Sequence, residues 1–225
     1  MDVWEANSVS AAFTLHPCST LGRSTCTGSA CSAPNSTQGT CDQAGCDFNS
    51  FRMGDISFYG LSLTVDTKQK CTVVTQFVGS PINRINRFYV QNGKVIPNTQ
   101  STVAGVTGNS ISDSFCAAQK TAFGDTNTFA SKGGLDGMSS ASAPGMVLVM
   151  SIWDDHAANM LWLDAPFLPN KSASSPGVTR GTCSPSSGVL TTVEAQSAFT
   201  DYSGPTACVS PFTCQELNPF FFQCL

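Results

Sequence analysis

Charged side chains are scarce in this 225-residue chain: they make up 12% of the sequence, and the formal net charge at pH 7 is −4. Proteins that bind nucleic acid or an anionic membrane surface through their charge carry an excess of lysine and arginine, so the composition argues against both partners. Long apolar runs are also missing, since none approaches the roughly 20 residues of a membrane-spanning helix. The longest, Met146 to Trp153, predicts a buried strand instead.

A recognisable export signal is absent too, because residues 2–8 contain neither a basic nor an apolar segment. Cysteine, in contrast, is abundant, with eleven residues, which indicates disulfides formed in an oxidising compartment. A metal site is the weaker alternative, because the chain has only two histidines and no paired Cys-x-x-Cys units. We therefore expect a secreted protein whose sequence lacks its N-terminal part.

Glutamate occurs only three times, at Glu5, Glu194 and Glu216. Glu5 lies three residues after Asp2 and directly after Trp4. Hydrolysis of a glycosidic bond needs a pair of carboxyl groups that flank the sugar, and an aromatic ring is a suitable platform for it. The spacing alone fits equally well a strand that begins with a few polar residues, because acidic residues near an aromatic ring are common.

Strand patterns follow along the chain, whose length suits one large β domain or two small ones. Residues Gly60–Asp66 alternate apolar and polar, and Cys71–Val78 is rich in β-branched residues, so both segments are predicted strands. In Phe88–Ile96 an Asn-Gly pair separates two apolar runs, which is a strong signal for a β-hairpin.

Only one helix is predicted, over Ser112–Phe123. Ser112 is a suitable N-cap, and Gly124 follows the last residue of the apolar pattern. Within the helix, Phe115, Ala118, Gln119 and Ala122 share one face.

The first residues, Asp2 to Ser8, resemble the active-site strand of the glycoside hydrolase family 7 cellulases, which comprise cellobiohydrolases and endoglucanases. The pattern of that family is Glu-x-Asp-x-x-Glu, in which the first Glu is the nucleophile. The resemblance implies that Glu5 is the acid/base and that Asp2 supports the nucleophile. It also implies that the nucleophile directly precedes Met1, so we expect this chain not to be an active cellulase by itself.

The resemblance continues to Gln196 and implies a fold. Residues 1–196 would form the C-terminal half of the catalytic domain, an all-β, concanavalin-like jelly-roll β-sandwich that is incomplete here, with long disulfide-pinned loops and one short helix. The implied disulfides are Cys18–Cys41, Cys26–Cys31 and Cys46–Cys116, whereas Cys71 and Cys183 have no implied partner in this chain.

Several polar and aromatic residues match sugar-binding positions of the family. These implied substrate-binding residues are His16, Arg52, Trp153, Trp162 and Arg180. An arginine suits such a role because its planar fork can donate two hydrogen bonds to adjacent hydroxyls. Other interpretations stay open from the residues alone: a surface position in a turn for Arg52, and core packing for the two tryptophans.

The last residues, 197–225, resemble a truncated fungal cellulose-binding module of family 1. The resemblance implies a disulfide between Cys208 and Cys224 and leaves Cys214 without its usual partner. The implied cellulose-binding residues are Asn218, Phe220, Phe221 and Gln223. A module this small depends on its disulfides for stability, so the truncation is expected to weaken it.

Taken with the resemblance, these features predict a monomeric, secreted enzyme that binds cellulose and cello-oligosaccharides. It would hydrolyse β-1,4-glucosidic bonds with retention of configuration and release cellobiose from chain ends. Two carboxyl groups suffice for that chemistry, so no cofactor or metal is predicted. The alternatives are a non-catalytic carbohydrate-binding remnant, an endo-acting β-1,4-glucanase of the same family, and an unrelated disulfide-rich β protein.

Overall fold

A computed structural model describes residues 1–31, 38–152, 161–164, 214–218 and 221–224. The predictions for Trp153, Arg180, Cys183, Cys208 and Phe220 lie outside these residues. The chain divides into two compact units, residues Met1–Val149 and Met150–Leu225. Within the described ranges, no helix is both long enough and apolar enough to cross a membrane.

Short strands dominate the first unit. In chain order they are β1 (Asp2–Ala6), β2 (Ala11–Leu15), β3 (Cys46–Asn49), β4 (Tyr59–Gly60), β5 (Val65–Asp66), β6 (Thr72–Val78), β7 (Arg84–Gln91), β8 (Lys94–Pro97) and β9 (Ser110–Ile111). The helices of this unit are α1 (Asp113–Phe123), α2 (Thr128–Ser131) and α3 (Gly134–Ser142), and a 3-10 turn covers Gly28–Ala30. The second unit contains α4 (Leu161–Asp164), β10 (Cys214–Asn218) and β11 (Phe221–Cys224).

The protein is therefore mostly β-sheet with few helices. β1, β2 and β3 form one antiparallel sheet in that order. In a second antiparallel sheet, β7 lies between β6 on one side and β8 and β9 on the other. This composition is consistent with the predicted β-sandwich, whereas the jelly-roll connectivity and the incompleteness of the sandwich stay predictions.

The main core lies between the inner faces of these two sheets. Phe13 and Leu15 from β2 and Phe48 from β3 belong to the same buried cluster as Ile85 from β7. The rings of Phe13 and Phe48 are stacked with their centroids 6.1 Å apart. Stacked rings bury large areas on neighbouring strands, so the sheet that contains β1 is fixed from its inner face.

The predicted helix is confirmed as α1 and closes one side of this core. The Ser112 hydroxyl accepts a hydrogen bond from the Phe115 N–H at 3.1 Å, as an N-cap does. The Phe115 ring stacks on Phe48 at 5.3 Å. On the same helix, the buried Gln119 side chain donates to the Asp47 carbonyl oxygen at 2.8 Å and thereby ties α1 to β3.

Three disulfides cross-link this unit. They are Cys18–Cys41, Cys26–Cys31 and Cys46–Cys116, the pairs that the resemblance implied. Among the described residues, Cys71 is the free cysteine. Since Cys46–Cys116 joins β3 to α1, it reinforces covalently the contact that Gln119 makes through its amide.

The predicted hairpin is also confirmed. Gln91 of β7 pairs with Lys94 of β8, which leaves a two-residue loop. Asn92 and Gly93 have φ angles of 52° and 74°, and two positive φ angles in succession are what a type I′ turn requires. A turn of this kind matches the twist of the strands that it joins, so the register of β7 is fixed locally.

The buried strand predicted over Met146 to Trp153 is wrong for the residues that the structure describes. Residues 145–152 have no strand structure, and the apolar side chains at 146–150 and 152 are 54–104% exposed. A strand needs the hydrogen bonds of a neighbour, and no described strand pairs with this segment. Apolar composition alone therefore did not determine its conformation.

Two further sequence predictions need correction. The segment Gly60–Asp66 is not one strand: only its ends form the short parallel pair of β4 and β5, because Ser62 turns the chain with a φ of 59°. The Asp66 carboxylate accepts a hydrogen bond from the Ser62 N–H at 2.8 Å and holds this turn.

The prediction of a single helix was also wrong, because α2, α3 and α4 occur as well. The sequence of α3 gives little helix signal, since two of its residues are glycine and four are serine or alanine.

We predict that the disulfide between β3 and α1 contributes more stability than the short loop disulfide. Replacing both Cys46 and Cys116 by alanine is expected to lower the free energy of unfolding by about 4 kcal/mol, and replacing Cys26 and Cys31 by about 2 kcal/mol, because the unfolded chain gains more freedom when a longer loop is released. Urea unfolding of both double variants measures the difference. An equal or larger loss in the Cys26 and Cys31 variant would contradict the prediction.

Candidate active site

Asp2 and Glu5 lie on the same face of the first sheet. Asp2 pairs with Thr14 and Glu5 pairs with Ala12, so three steps along β1 match two steps along β2. In a regular strand, residues three apart point to opposite faces. The extra residue between the two acids forms a β-bulge, and this bulge brings both carboxyl groups to the face that carries Thr14.

Alternation along β2 adds two more polar side chains to this face, Thr14 and His16 just beyond the strand. The Nε2 atom of His16 lies 2.9 Å from Oδ2 of Asp2. The hydrogen bond from His16 is the largest of the effects that hold the pKa of Asp2 below its ordinary value, and the charge of His16 acts in the same direction against partial burial. Asp2 is thus an ionised carboxylate whose charge is compensated by its neighbour.

His16 is fixed from its other side by a backbone carbonyl. Its Nδ1 atom lies 3.0 Å from the carbonyl oxygen of Asp42. Because both ring nitrogens face acceptors, only the imidazolium form donates to both. Burial lowers the pKa of His16, but the hydrogen bond and the charge of Asp2 outweigh it, and the pKa is raised above its ordinary value.

Glu5 has the opposite electrostatic character. Burial is the largest effect on this carboxyl group and raises its pKa, and the charge of Asp2 raises it further. The Thr14 hydroxyl donates a hydrogen bond to Oε2 of Glu5 at 2.7 Å, which lowers the pKa but does not cancel the effect of burial. Glu5 therefore keeps its proton to a higher pH than an ordinary glutamate does.

The loop before β3 provides the wall behind His16. Asp42 is buried, and its Oδ1 atom accepts a hydrogen bond from the Thr128 hydroxyl at 2.6 Å. Its N–H donates to the Pro17 carbonyl oxygen at 2.9 Å. These bonds fix the carbonyl group that accepts from His16.

Gly45 in the same loop leaves room for the two side chains on β2. A Cβ atom at this position would lie 2.6 Å from Cγ2 of Thr14 and 2.7 Å from Cε1 of His16. The φ angle of Gly45 is +71°, a conformation that L-residues with side chains rarely adopt. Both space and backbone geometry thus require glycine next to the acidic pair.

Two carboxyl groups with opposed pKa shifts are the arrangement expected of acid/base chemistry. The raised pKa of Glu5 suits a proton donor, whereas the lowered pKa of Asp2 suits a carboxylate that accepts a hydrogen bond from a further acid. The imidazolium of His16 balances the charge of Asp2 without contacting Glu5 by any described hydrogen bond. The face therefore fits a proton donor with a charged support beside it.

Of the other predicted sugar-binding residues, the structure describes Arg52 and Trp162, whereas Trp153 and Arg180 lie outside the described residues. Arg52 follows β3, its backbone N–H donates to Oδ1 of Asn49 at 3.2 Å, and its guanidinium lies 5.7 Å from the centroid of the Phe123 ring. Trp162 lies on α4 in the second unit and is partly buried. Their contacts with sugar stay predictions.

In the tail, the backbone of β10 and β11 forms an antiparallel pair. Asn218 lies opposite Phe221, and Gln215 lies opposite Gln223. A register shift between Glu216 and Asn218 separates the two pairings. The cellulose-binding role of Asn218, Phe221 and Gln223 stays a prediction, as does that of Phe220 and the disulfide of Cys208 with Cys224.

Sequence reasoning missed three residues that shape the site: Thr14, Asp42 and Gly45. Thr14 could have been found, because it precedes His16 by two positions and so shares its face in a strand. Asp42 acts through its backbone carbonyl, and Gly45 acts through the side chain that it lacks. Neither contribution has a local sequence signal.

Comparison with known families gives two matches along the chain. Residues 1–203 match glycosyl hydrolase family 7, and residues 200–221 match the fungal cellulose binding domain. The first match covers the two carboxyl groups, both sheets and α1. The second includes β10 but ends before Gln223.

Solved structures similar to this chain include exo- and endo-acting enzymes. A family 7 cellobiohydrolase from Daphnia pulex is 44% identical, with a TM-score of 0.75 over 80% of this chain and 44% of its own. A cellobiohydrolase from Melanocarpus albomyces, complexed with cellotetraose, is 40% identical, with a TM-score of 0.70 over 84% and 44%. Endocellulase EGI from Humicola insolens is 36% identical, with a TM-score of 0.66 over 78% and 43%. The chain thus spans less than half the length of these structures.

We predict that replacing Asp2 by asparagine lowers the pKa of His16. The pair raises this pKa in the folded protein, so its contribution to stability is fully present below the ordinary histidine pKa of about 6.5 and is lost as the pH rises through the folded value. In Asp2→Asn the loss of stability over this pH range should be smaller. The titration of the His16 ring protons by NMR and urea unfolding at several pH values measure the two effects.

Asp125→Asn is the matched control, because Asp125 is exposed and lies outside the site. This variant should titrate like the unmodified protein at His16. An unchanged His16 pKa in Asp2→Asn would show that the ion pair does not hold in solution.

Proposed function

Because the chain belongs to glycosyl hydrolase family 7, we propose that it forms part of a site that hydrolyses β-1,4-glucosidic bonds of cellulose with retention of configuration. The observation that carries this proposal is the pair on β1: a half-buried Glu5 with a raised pKa and, on the same face, an Asp2 whose pKa is lowered by His16. In a retaining enzyme, one carboxyl group protonates the leaving oxygen and a second forms the glycosyl intermediate.

Glu5 takes the role of acid and later of base. A raised pKa lets it hold its proton until the glycosidic oxygen leaves, and loss of that proton lets it activate water in the second step. Thr14 orients the carboxyl group through its hydroxyl. Asp2 takes a supporting role, because its lowered pKa makes it a poor proton donor and a good acceptor.

The nucleophile is the glutamate that the family pattern places directly before Met1. Asp2 would then accept a hydrogen bond from it or share its proton. Asp2 is a poor substitute as nucleophile, because its side chain is shorter and is already engaged with His16, and errors of about 1 Å in placement are costly in catalysis. The sequence as given therefore holds one of the two reacting carboxyl groups.

Release of cellobiose from chain ends is the mode that we favour. The two cellobiohydrolases reported above share 44% and 40% identity with the chain, and the endocellulase shares 36%. The additional match to a cellulose binding domain agrees with action on an insoluble polymer. An endo-acting β-1,4-glucanase is the alternative within the family.

We assign sugar binding to two arginines and two tryptophans. Arg52 and Arg180 donate hydrogen bonds to hydroxyl groups, and Trp153 and Trp162 provide stacking faces. His16 was predicted to bind substrate directly, but its two ring nitrogens are engaged by Asp2 and Asp42, so support of Asp2 is the role that its contacts favour.

We propose two domains. Residues 1–196 form part of a catalytic jelly-roll sandwich, and residues 197–225 form a cellulose-binding tail. Phe220 and Phe221 would lie on the cellulose surface beside Asn218 and Gln223. Such enzymes act outside the cell, and the three disulfides of the first unit fit secretion. We propose a monomer.

We predict that the 225-residue chain alone does not release product from an aryl β-cellobioside, because Glu5 is the one reacting carboxyl group that we assign within it. When it is fused behind the N-terminal part of the Daphnia pulex cellobiohydrolase, so that the pattern glutamate precedes Met1, hydrolysis should appear. Glu5→Gln in the fusion should reduce kcat by roughly 10²- to 10⁴-fold, the range of general acid/base catalysis. Product release measured by absorbance tests all three statements.

Asp125→Asn serves as the control in the fusion, since this exposed carboxylate lies outside the site. Clear turnover by the chain alone would show that the nucleophile assignment is wrong. A folded fusion that binds cellobiose but does not hydrolyse the substrate would support the alternative of a carbohydrate-binding remnant.

The cellulose-binding tail generates a separate prediction. Replacing Phe220 and Phe221 by alanine should lower the fraction of the chain bound to microcrystalline cellulose, because the flat apolar contact with the glucan surface is lost. Phe77→Ala is the control, since Phe77 is an exposed phenylalanine on β6. Sedimentation with cellulose measures binding, and an equal loss in both variants would contradict a specific role of the tail.

A further inference from the structure

The β-bulge between Asp2 and Glu5 needs a cause in the rest of the fold. A strand pair without it would satisfy more backbone hydrogen bonds, since the extra residue is left out of the ladder. A slip by one residue moves a side chain to the opposite face of a sheet. Whatever holds the bulge therefore determines whether the two carboxyl groups share a face.

Arg87 is the residue that contacts the bulge from behind. It lies on β7 in the opposite sheet and is 3% exposed, with its neighbours Ile85 and Tyr89 on the same inner face. One guanidinium nitrogen, Nη2, donates a hydrogen bond to the carbonyl oxygen of Val3. Val3 is one of the two residues between the acids, so this bond is made to the bulge itself.

The same guanidinium group also packs against aromatic rings on both strands. Its Cζ atom lies 4.3 Å from the centroid of the Phe13 ring on β2 and 5.5 Å from that of the Trp4 ring on β1. A planar cation is attracted to the faces of such rings. Phe13 lies between Thr14 and Ala12, so it is the β2 residue across from the extra residue of β1.

Burial of the Arg87 guanidinium costs free energy that the filling of space alone would not require. Its Nε atom is buried without a hydrogen-bond partner, and no carboxylate in the described part of the chain lies within 4 Å of its charged group. Burial lowers the pKa of the guanidinium, which shows the cost of removing this cation from water. An apolar side chain of similar length would avoid that cost but could not bind a carbonyl oxygen.

We propose that Arg87 is a positioning residue that holds the β-bulge of β1 and thereby keeps Asp2 and Glu5 on one face of the sheet. The hydrogen bond fixes the carbonyl group that the bulge turns out of the ladder, and the contacts with Trp4 and Phe13 fix the strands on either side. The role of Arg87 in holding the bulge is inferred from these contacts alone. The importance of the bulge for hydrolysis rests on the proposed function.

The loss of Arg87 has a defined structural consequence. Without the bulge, either Asp2 pairs with Leu15 while Glu5 stays opposite Ala12, or Glu5 pairs with Ala11 while Asp2 stays opposite Thr14. In both registers, one carboxyl group leaves the face of Thr14. If it is Asp2, the ion pair with His16 breaks; if it is Glu5, its hydrogen bond with Thr14 breaks.

The test is Arg87→Met in the full 225-residue chain, with Arg84→Met as the matched control. Arg84 lies on the same strand but is exposed. NMR measures the cross-strand contacts of β1 with β2 and the titration of His16. We expect Arg87→Met to lose either the Asp2–Thr14 or the Glu5–Ala12 contact; where Asp2 is displaced, the His16 pKa should fall to the value found in Asp2→Asn. Arg84→Met should change neither.

Arg87→Lys is a second test variant, for the case that Arg87→Met does not fold. Lysine keeps a buried cation and a similar stem, but its ammonium group cannot stack on two rings while it binds the carbonyl oxygen. We expect this variant to fold and to show a partial loss of the same contacts. If Arg87→Met is unfolded, Arg87→Lys decides alone.

The proposal is wrong if a folded Arg87→Met keeps both cross-strand contacts and an unchanged His16 pKa. If Arg87→Met does not fold, the same result in Arg87→Lys would overturn it. These readouts do not involve hydrolysis. A failure of the proposed activity therefore leaves the test intact, and a preserved bulge in the variants leaves the assignment of Glu5 intact.

Discussion

Side chains in a β-strand alternate between its two faces, and this constraint governs the whole site. Two acids separated by two residues cannot act on one ligand from a regular strand. The bulge in β1 removes that restriction at the position where it matters. The rest of the first unit can be understood as its support: a second strand that supplies Thr14, a loop that holds His16, and an opposite sheet that carries Arg87.

Electrostatics then separates the two acids. The pKa of Asp2 is lowered mainly by the hydrogen bond from His16, and the pKa of Glu5 is raised mainly by its partial burial. The ionised Asp2 also raises the pKa of Glu5 through its charge. Asp2 thus contributes to the raised pKa of Glu5, and this effect depends on the two carboxyl groups sharing a face.

The sequence predicted the elements whose signals are local. Ser112 marked the start of α1, and Asn92 with Gly93 marked the hairpin, because a cap and a type I′ turn each depend on a few adjacent residues. The acidic pair and three disulfides followed from the family resemblance. The strand predicted at Met146 to Trp153 failed for 145–152, because a strand depends on a neighbour that its own sequence does not specify. The bulge was missed for the same reason, since it is a property of two strands and of an arginine 84 residues away from Val3.

Gly45 shows how an absent atom can belong to an acid/base site. The missing Cβ atom leaves room for the imidazole ring between a carboxylate and a carbonyl oxygen. A mutation there would alter no charge, no hydrogen-bonding group and no residue in contact with a sugar. It would nevertheless place a Cβ atom 2.6 Å from Cγ2 of Thr14 and 2.7 Å from Cε1 of His16, so a survey of variants restricted to polar side chains would overlook a position that shapes the site.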